Sequence, residues 1–321
     1  MTETADAADA VNAMDVTDVT DERPSPVGVV GAGVMGLGIT QCLTSAGHPV
    51  VVVDTDPAAL DTGPRRLRQA QRLSRLLGPG RARPAPPVRW SAALADLGEA
   101  AFVIECARER IPVKEEIFRE LDRHCPPHAV LASCTSAIPI SRLAEVTEEP
   151  GRVLGLHFMN PAPVTDTVEV ARTARTDRRT MDRALALLAG MGKKALVVSD
   201  APGFVSNRVL MLTLNEAATV VQEGTADAAR VDEVFRDCFG HRMGPLATAD
   251  LIGLDTVLDT LEVLRHCTGD PRFEPCALLT RLVAAGATGR KSGRGFHTYP
   301  AAHRAGPSTT GPDRPPTGIP L

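Results

Sequence analysis

Several features that would mark a specialised class of protein are missing from this chain of 321 residues. No apolar run approaches the length needed to span a membrane. The formal net charge of −4 lacks the basic excess typical of nucleic-acid binders. The amino-terminal stretch MTETADAADAVNAMDVTDVTDERPSP is acidic and has neither the basic nor the apolar region of a secretory signal. We therefore expect no membrane and no nucleic acid among the partners.

The cysteines form no recognisable metal or disulfide pattern. There are 7 of them, they are scattered, and no two are spaced as C-x-x-C. An odd number of dispersed thiols indicates reduced cysteines in a cytoplasmic protein.

The composition divides the chain into two polar tails and two structured parts. Residues 1–24 alternate acidic residues with Ala and Thr, and residues 301–321 are rich in Pro, Gly and Thr, so both are predicted to be disordered. Residues 25–200 alternate β-branched runs with helix-like stretches, which predicts an α/β domain with a Rossmann-type, doubly wound sheet. Residues 201–300 carry helical periods and few β-branched runs, which predicts an all-helical second domain.

Six runs have the character of buried strands. They are VGVVGAG (27–33), PVVVVD (49–54), AAFVIEC (100–106), AVLASC (129–134), RVLGLHF (152–158) and ALVVSD (195–200). The stretch KEEIFRELDRHC (114–125) is the clearest predicted helix between them.

A glycine-rich turn follows the first of these runs. Gly31, Gly33 and Gly36 form G-x-G-x-x-G between a predicted strand and a predicted helix. In that setting the first glycine permits a tight turn, the second admits a pyrophosphate to the backbone, and the third lets the helix approach the strand. Asp54 ends the next strand, where a carboxylate binds an adenosine ribose and repels a 2′-phosphate. The pattern predicts a dinucleotide site that prefers NAD to NADP.

A histidine and a glutamate further along suggest an acid–base pair. His157 ends a predicted strand and is followed by Asn and two prolines, which places it at the edge where a doubly wound sheet binds ligands. Glu169 follows by twelve residues and could return on a neighbouring strand. A carboxylate behind an imidazole fixes its tautomer and stabilises the imidazolium. Considered alone, a histidine such as His157 has a structural role more often than a catalytic one.

Together these segments resemble the 3-hydroxyacyl-CoA dehydrogenase family, including its 3-hydroxybutyryl-CoA members. The resemblance runs from about residue 26 to residue 300 and rests on motifs in one order. These are GAGVMGLGI, ASCTSAIPI, GLHFMNPAPV, VEV, DAPGFVSNRV, GPLATADLIGLDT and GRKSGRGFHTY.

The resemblance implies roles for individual residues. His157 corresponds to the catalytic base, Glu169 to its partner, and Ser136 and Asn207 to groups that contact the substrate. The residues that correspond to cofactor contacts are Gly31, Gly33, Val34, Met35, Gly36, Asp54, Glu109, Lys114, Ser136, Asn160 and Lys291. The resemblance also implies NAD as cofactor, an acyl thioester as substrate, and a homodimer formed through the helical domain.

Two departures from the family pattern bear on the substrate. Cys134 stands where the family usually has Asn. The stretch between the second strand and Trp90 is shorter than the helical hairpin with which the family holds CoA, and it is rich in arginine. Its arginines are Arg65, Arg66, Arg68, Arg72, Arg75, Arg81, Arg83 and Arg89. Such a strip is either a solvated helix face or a surface for an anionic partner, namely the CoA phosphates or an acyl carrier protein.

Three functions stay open on the sequence. The first is an NAD-dependent dehydrogenase of 3-hydroxyacyl thioesters on CoA. The second acts on a hydroxyacyl group carried by an acyl carrier protein, as related dehydrogenases do in making polyketide extender units. The third is an NAD-binding relative without turnover, against which the joint presence of His157, Glu169, Ser136 and Asn207 argues. A 6-phosphogluconate-type β-hydroxyacid dehydrogenase is a further rival, but that group uses a catalytic lysine.

Overall fold

The computed structural model describes residues 25–77 and 86–299 of the chain. The two tails predicted to be disordered, residues 1–24 and 301–321, lie outside the described residues. So do residues 78–85, which include Arg81 and Arg83, and the side chain of Arg75.

One eight-stranded sheet forms the frame of the first domain. Its strands are β1 (Val27–Val30), β2 (Val50–Val53), β3 (Val88–Ser91), β4 (Phe102–Glu105), β5 (Val130–Ser133), β6 (Val153–Phe158), β7 (Thr167–Arg172) and β8 (Lys194–Ser199). Their order across the sheet is β3-β2-β1-β4-β5-β6-β7-β8. Every neighbouring pair is parallel except β6 and β7, which are antiparallel. The predicted doubly wound sheet is therefore confirmed.

The central strands are continuous apolar runs because both of their faces are covered. All four residues of β1 and of β2 are buried, as expected for a parallel sheet between two helix layers. Five of the six predicted strands were too long at their carboxyl ends, whereas the run RVLGLHF ends at Phe158 as β6 does. β1 stops at Val30, because Gly31 has a φ of 102° and turns the chain out of the sheet. The sequence prediction also missed β3, which contains Trp90.

Helices cover both faces of the sheet. They are α1 (Val34–Ser45), α2 (Pro57–Leu77), α3 (Ile111–His124), α4 (Ile140–Ala144) and α5 (Arg178–Gly190). Ile39 and Leu43 of α1 and Leu188 of α5 pack into one apolar core. Phe118 of α3 and Leu143 of α4 pack into the core on the other face. Helix α3 begins at Ile111, three residues before the predicted start, because Pro112 is well suited to a first helical turn.

The chain leaves the sheet after Ser199 and continues in helices. These are α6 (Ser206–Gln222), α7 (Ala228–Phe239), α8 (Pro245–Ile252), α9 (Leu254–Thr268) and α10 (Ala277–Ala284). A third apolar core, with Leu214, Leu246, Leu261 and Phe273 at its centre, holds them together. The predicted all-helical C-terminal part is confirmed. Within residues 25–77 and 86–299, no helix is both long and apolar enough to cross a membrane.

Candidate functional site: one edge of the sheet and the start of helix α6

The carboxyl ends of the parallel strands bring the predicted site residues to one edge. Gly31 follows β1, Asp54 follows β2, and Cys106, Cys134 and Met159 follow β4, β5 and β6. In open α/β sheets this edge is where ligands bind. The neighbouring order β2-β1-β4-β5-β6 arranges these loops side by side.

The three glycines of the first loop each meet a different spatial demand. Gly31 holds a φ of 102°, a conformation that favours glycine. A Cβ on Gly36 would lie 1.8 Å from the carbonyl oxygen of Gly31, so only glycine lets α1 start this close to β1. A Cβ on Gly33 would meet nothing within 4 Å. Gly33 is therefore open to a ligand at the amino terminus of α1, where Val34 and Met35 form the first turn and the helix dipole favours anions.

Asp54 is fixed against this loop. Its Oδ2 accepts a hydrogen bond from the backbone N–H of Ala32 at 2.7 Å, and its Oδ1 accepts one from the N–H of Asp56 at 2.9 Å. The carboxylate therefore lies beside the open turn at Gly33 with its orientation set by the backbone. An open glycine turn, a helix amino terminus and an oriented carboxylate together fit the pyrophosphate and ribose of NAD.

His157 and Glu169 are direct neighbours across the antiparallel pair. They occupy opposite positions in the β6–β7 register. His157 Nδ1 lies 3.1 Å from Glu169 Oε2, and both residues are buried. The expectation that Glu169 returns on a neighbouring strand is met by this geometry, because β7 runs back along β6.

Four donors surround the Glu169 carboxylate. Besides His157, Ser206 Oγ donates to Oε2 at 2.5 Å, and the N–H groups of Val205 and Ser206 donate to Oε1 at 2.9 and 3.2 Å. Burial raises the pKa of this carboxyl, but the hydrogen bonds from His157, Ser206 and the two backbone N–H groups outweigh it and lower the pKa to about 2. Glu169 is therefore ionised and ready to hold an imidazolium.

Ser206 is a functional residue that the sequence reasoning missed. Its Oγ lies 3.3 Å from His157 Nδ1 as well as 2.5 Å from Glu169. The only signal was its place between Val205 and Asn207 in the PGFVSNR motif. Contact with β6 and β7, 37 or more residues away, could not be inferred from that position.

The chain is strained where it delivers these donors. Phe204 has a φ of 50°, which is uncommon for a bulky residue and costs on the order of 1–3 kcal/mol. Its ring is buried, with its centroid 6.0 Å from that of His157. The bend points the N–H groups of Val205 and Ser206 at Glu169, so contacts at the carboxylate offset the strain.

Asn207 and Ser136 join the two domains at the same place. Asn207 Nδ2 donates to the backbone carbonyl oxygen of Ser136 at 2.9 Å. Glu109 Oε1 accepts hydrogen bonds from the N–H groups of Ser136 and Ala137 at 2.9 and 3.0 Å, and from Thr135 Oγ1. Burial raises the pKa of Glu109, but Lys114 and these hydrogen bonds lower it overall. The loop after β5 is thereby held between α3 and α6.

Lys114 lies beneath the site rather than in it. Its side chain is only 1% exposed, and its Nζ donates to Glu105 Oε1 at 2.7 Å and lies 3.5 Å from Glu109 Oε2. Burial lowers the pKa of Lys114, yet the charges of Glu105 and Glu109 raise it overall. The contacts of Lys114 therefore position Glu109. The cofactor contact that the resemblance implies for Lys114 stays a prediction.

Asn160 and Lys291 occupy different parts of the molecule. Asn160 is exposed in the loop after β6, where Lys193 Nζ fixes the same loop through the carbonyl oxygens of Ala162 and Thr165. Lys291 lies in the second domain, where its Nζ contacts both carboxylate oxygens of Asp255 at 2.6 Å. None of the hydrogen bonds described for Lys291 reaches the first domain.

Two cavities bear on the binding of a substrate, one at Ser206 and one along α2. A pocket of about 380 Å³ begins at Ser206 and continues between α6 and the start of α8, with Val205, Val209, Phe235 and Met243 in its wall. A second cavity, of about 630 Å³, lies between α2 and β3 and is lined by Arg68, Arg72 and Trp90 among others. Arg65 and Arg66 are exposed nearby on the same helix.

Comparisons with known proteins agree with this architecture. Residues 26–201 match the profile of the 3-hydroxyacyl-CoA dehydrogenase NAD binding domain, and residues 203–299 match that of the 3-hydroxyacyl-CoA dehydrogenase C-terminal domain. The chain is 46% identical over 277 residues to the probable 3-hydroxybutyryl-CoA dehydrogenase of Bacillus subtilis, covering 84% of this chain and 96% of the relative. It is 42% identical over 284 residues to the 3-hydroxybutyryl-CoA dehydrogenase of Mycobacterium tuberculosis, covering 85% and 98%.

Solved structures show the same relationship. The crystal structure of FadB2 from M. tuberculosis superposes with a TM-score of 0.80 at 39% identity, covering 86% of this chain and 99% of the other. The (S)-3-hydroxybutyryl-CoA dehydrogenase PaaH1 from Ralstonia eutropha gives a TM-score of 0.77 at 38% identity, with the same coverage. The resemblance drawn from the motifs is thus confirmed, as is the prediction of an NAD-dependent enzyme. The chain belongs to the 3-hydroxyacyl-CoA dehydrogenase family.

Proposed function

We propose that the protein interconverts 3-hydroxyacyl and 3-oxoacyl thioesters, with a 3-hydroxybutyryl-CoA-like substrate and NAD as the hydride carrier. The observation that carries this proposal is the His157–Glu169–Ser206 cluster, which lies at the same sheet edge as the open glycine turn. An alcohol oxidation needs a base beside the hydroxyl and an acceptor for the hydride, and this edge supplies both.

In the oxidation direction, His157 removes the proton from the C3 hydroxyl. Because Nδ1 is engaged by Glu169, Nε2 is the nitrogen that takes the proton. The imidazolium that forms is stabilised by the ionised Glu169, whose remaining donors keep it in place. A bound NAD would supply the acceptor for the hydride that leaves C3. Ser136 and Asn207, which already meet at 2.9 Å, orient the substrate oxygens.

The loop after β1 holds the cofactor in this proposal. Gly31, Gly33, Val34, Met35 and Gly36 present the pyrophosphate site, and Asp54 binds the adenosine ribose. Glu109, Ser136 and Asn160 lie along the same edge toward His157. Lys114 acts through Glu109. Lys291, which Asp255 holds in the second domain, is the residue of that domain that corresponds to a cofactor contact in the family.

The pocket at Ser206 suits the acyl chain. Its walls are mostly apolar, and two of its valines, Val205 and Val209, are 57% and 61% exposed without a ligand. An acyl chain entering there removes this apolar surface from water, which is worth about 0.8 kcal/mol per methylene. The pocket therefore supports chains longer than that of a hydroxybutyryl group.

A second candidate differs only in the carrier of the thioester. The arginine-lined groove on α2, with exposed Arg65, Arg66, Arg68 and Arg72, favours an anionic partner. Both carriers hold the thioester on a phosphopantetheine arm, but an acyl carrier protein presents an acidic protein surface beyond it, whereas CoA presents the phosphates of its nucleotide. CoA and an acyl carrier protein are both anionic and complement the arginines of this groove, so an assay with each carrier is needed to distinguish them.

We also infer how the chain is organised. Residues 25–200 act as the NAD-binding domain and residues 201–300 as the substrate and dimerisation domain. An apolar groove of about 600 Å³ between α6 and α7, lined by Leu212, Val220, Val234 and Phe235 among others, supports a homodimer through the second domain. All seven cysteines are free, which supports a reducing, cytoplasmic location.

The deciding experiment is a spectrophotometric NADH assay with one 3-hydroxyacyl group presented on CoA and on an acyl carrier protein. We expect NADH formation with the CoA thioester. A preference for the carrier-bound substrate establishes the second candidate. Binding of NAD without turnover on either substrate contradicts both.

A further inference from the structure

Two cysteines occupy adjoining positions at the edge of the sheet. The β4–β5 register pairs Glu105 with Ser133, so the next residues, Cys106 and Cys134, face each other. The N–H of Cys134 donates to the carbonyl oxygen of Glu105 at 2.7 Å and continues the ladder beyond the strands. Adjacent strands lie about 4.7–4.9 Å apart. That spacing falls within the Cα separation of roughly 4.4–6.8 Å that a disulfide spans.

Their side chains lie on the same side of the sheet, because laterally paired residues of neighbouring strands share a face. Cys106 and Cys134 both pack against the same apolar core, and both are partly exposed and free. Cys106 Sγ lies 3.8 Å from the carbonyl oxygen of Ile104, and the interaction of the two thiols shifts the pKa of each. The buried Cys42 and Cys125 belong to different cores, so they do not form a comparable pair.

The pair is polarised toward one sulfur. The hydrogen bond from Cys106 lowers the pKa of the Cys134 thiol against the effect of burial, with help from the Phe158 backbone and the charges of His157 and Lys114. The same hydrogen bond, together with burial, raises the pKa of Cys106. Cys134 is the nucleophile of such a pair, and Cys106 remains the protonated partner.

We propose that Cys134 and Cys106 form a dithiol modification site, which a hydroperoxide converts reversibly into a disulfide that weakens cofactor binding. The Cys134 thiolate attacks the peroxide, so that an S–O bond forms, the O–O bond breaks and water leaves after protonation. The Cys106 sulfur then attacks Cys134, the S–S bond forms, the S–O bond breaks and a second water leaves. In total, two thiols and hydrogen peroxide give one disulfide and two waters.

The disulfide acts through the loop that follows β5. Cys134 directly precedes Thr135, Ser136 and Ala137, whose donors hold Glu109. Bringing the two sulfur atoms to about 2.05 Å pulls Cys134 toward β4 and distorts that loop. This effect on the enzyme rests on the proposed function, whereas formation of the crosslink does not.

The test uses the full chain, reduced with dithiothreitol and then treated with hydrogen peroxide. We expect a peptide map to show a Cys106–Cys134 crosslink and isothermal titration to show NAD affinity reduced several-fold. Dithiothreitol reverses both changes. NAD present during oxidation slows the crosslink, because the cofactor covers this edge.

Variants make the assignment specific. Cys134→Asn, which restores the residue usual in the family, and Cys106→Ala should each abolish the crosslink and make NAD affinity insensitive to peroxide. Cys238→Ser removes an exposed thiol on α7 and should respond as the wild type does. If Cys134→Asn does not fold, Cys106→Ala gives the same answer.

Three results overturn the proposal. The first is the absence of a Cys106–Cys134 crosslink, and the second is a crosslink that leaves NAD affinity unchanged. The third is a peroxide-induced loss of NAD affinity in Cys134→Asn and Cys106→Ala that equals the loss in the wild type. Absence of turnover in the reduced wild type contradicts the proposed function instead. The crosslink can still be measured in that case, because the peptide map does not depend on activity.

Discussion

The loop of residues 31–36 takes its shape from glycines within six positions of one another, whereas His157 takes its setting from distant segments. Gly31 and Gly36 fit against each other directly. His157 depends on Glu169, twelve residues away, and on Ser206, 49 residues away and in the other domain. The cofactor side is thus locally encoded, while the acid–base corner exists only when both domains are in place.

This difference determines what mutations reveal. A change in the glycine loop should alter cofactor binding and leave the domain junction unaffected. A change at Glu169 should alter both chemistry and the attachment of α6, because its carboxylate accepts from the backbone of Val205 and Ser206.

His157→Ala should lower turnover by roughly 10²- to 10⁴-fold, the usual worth of a positioned acid–base group. NAD affinity by titration and the unfolding temperature should change little, because the glycine loop does not depend on His157. His266→Ala, on the exposed face of α9, is the matched control. Turnover that survives in the His157 variant would remove the assignment of the base.

Glu169→Gln should lower turnover by about 10- to 100-fold, because a hydrogen bond to a charged group is worth roughly 1.5–3 kcal/mol. Ser206→Ala keeps the charge and should cost less in kcat. If the Ser206 variant is as slow as the Glu169 variant, the serine does more than orient the carboxylate.

Glu169 should also give the folded state a distinct dependence on acid. Its pKa is about 2 in the folded protein against 4.5 for an ordinary glutamate, so its ionisation stabilises the fold above pH 4.5. That stabilisation, about 3 kcal/mol at most, is lost as the pH falls from 4.5 toward 2. Denaturant melts at pH 6 and pH 3.5 should therefore show a smaller loss for Glu169→Gln than for the wild type. Equal losses would mean that the carboxylate does not hold α6.

Asp54→Ala should weaken NAD binding by roughly tenfold and improve NADPH binding relative to NAD, because a charge-assisted hydrogen bond to the ribose is lost together with repulsion of a 2′-phosphate. Titration of both cofactors is the measurement. Asp56→Ala, two residues on, is the control. Wild-type protein that binds NADPH as tightly as NAD would refute the role of Asp54.

Val209→Phe should reduce kcat/KM for longer acyl chains by about fourfold per methylene beyond four carbons, the equivalent of about 0.8 kcal/mol. The hydroxybutyryl substrate should be nearly unaffected. Val113→Phe, at an exposed position on α3, is the control. If kcat/KM falls equally for all acyl chain lengths, this pocket does not hold the acyl chain.

The smallest effect is expected at the arginine groove. Reversal of Arg68 and Arg72 to Glu should raise KM severalfold for a carrier-bound substrate and leave kcat unchanged, because exposed charges contribute about 0.2–1 kcal/mol each. The effect should shrink with salt. Reversal of Arg178 and Arg179, exposed on α5, controls for net charge. If the reversal changes KM for neither the CoA-bound nor the carrier-bound substrate, the arginines form a solvated helix face.

The sequence predicted what depends on local pattern. Buried runs such as VVVV gave β2, and the spacing of Gly31, Gly33 and Gly36 together with Asp54 gave the cofactor edge. The carboxyl end of β1 was overestimated, because a β-branched run does not show where the positive φ of Gly31 turns the chain. β3 was missed, because its short VRWS run is only partly buried.

The acid–base corner was predictable only in part. His157 and Glu169 were found through family motifs, and their pairing followed once β7 ran antiparallel to β6. Ser206 and the strained Phe204 were not found, because their role comes from the way α6 starts against the sheet. The burial of Lys114 beneath Glu109 is likewise a property of packing, which residue type alone does not disclose.

The carboxylate of Glu169 limits how this enzyme can be recombined. It accepts hydrogen bonds from Val205, which directly precedes α6, and from Ser206, the first residue of that helix. A chimera that joins this first domain to a relative's second domain therefore needs two backbone donors and a hydroxyl at that junction. A fusion point between β8 and α6 separates Glu169 from the Val205 and Ser206 donors that hold it. A fusion point after Asn207 carries the strained turn and all its donors with the first domain, and that is the boundary at which exchange of substrate domains should preserve the chemistry.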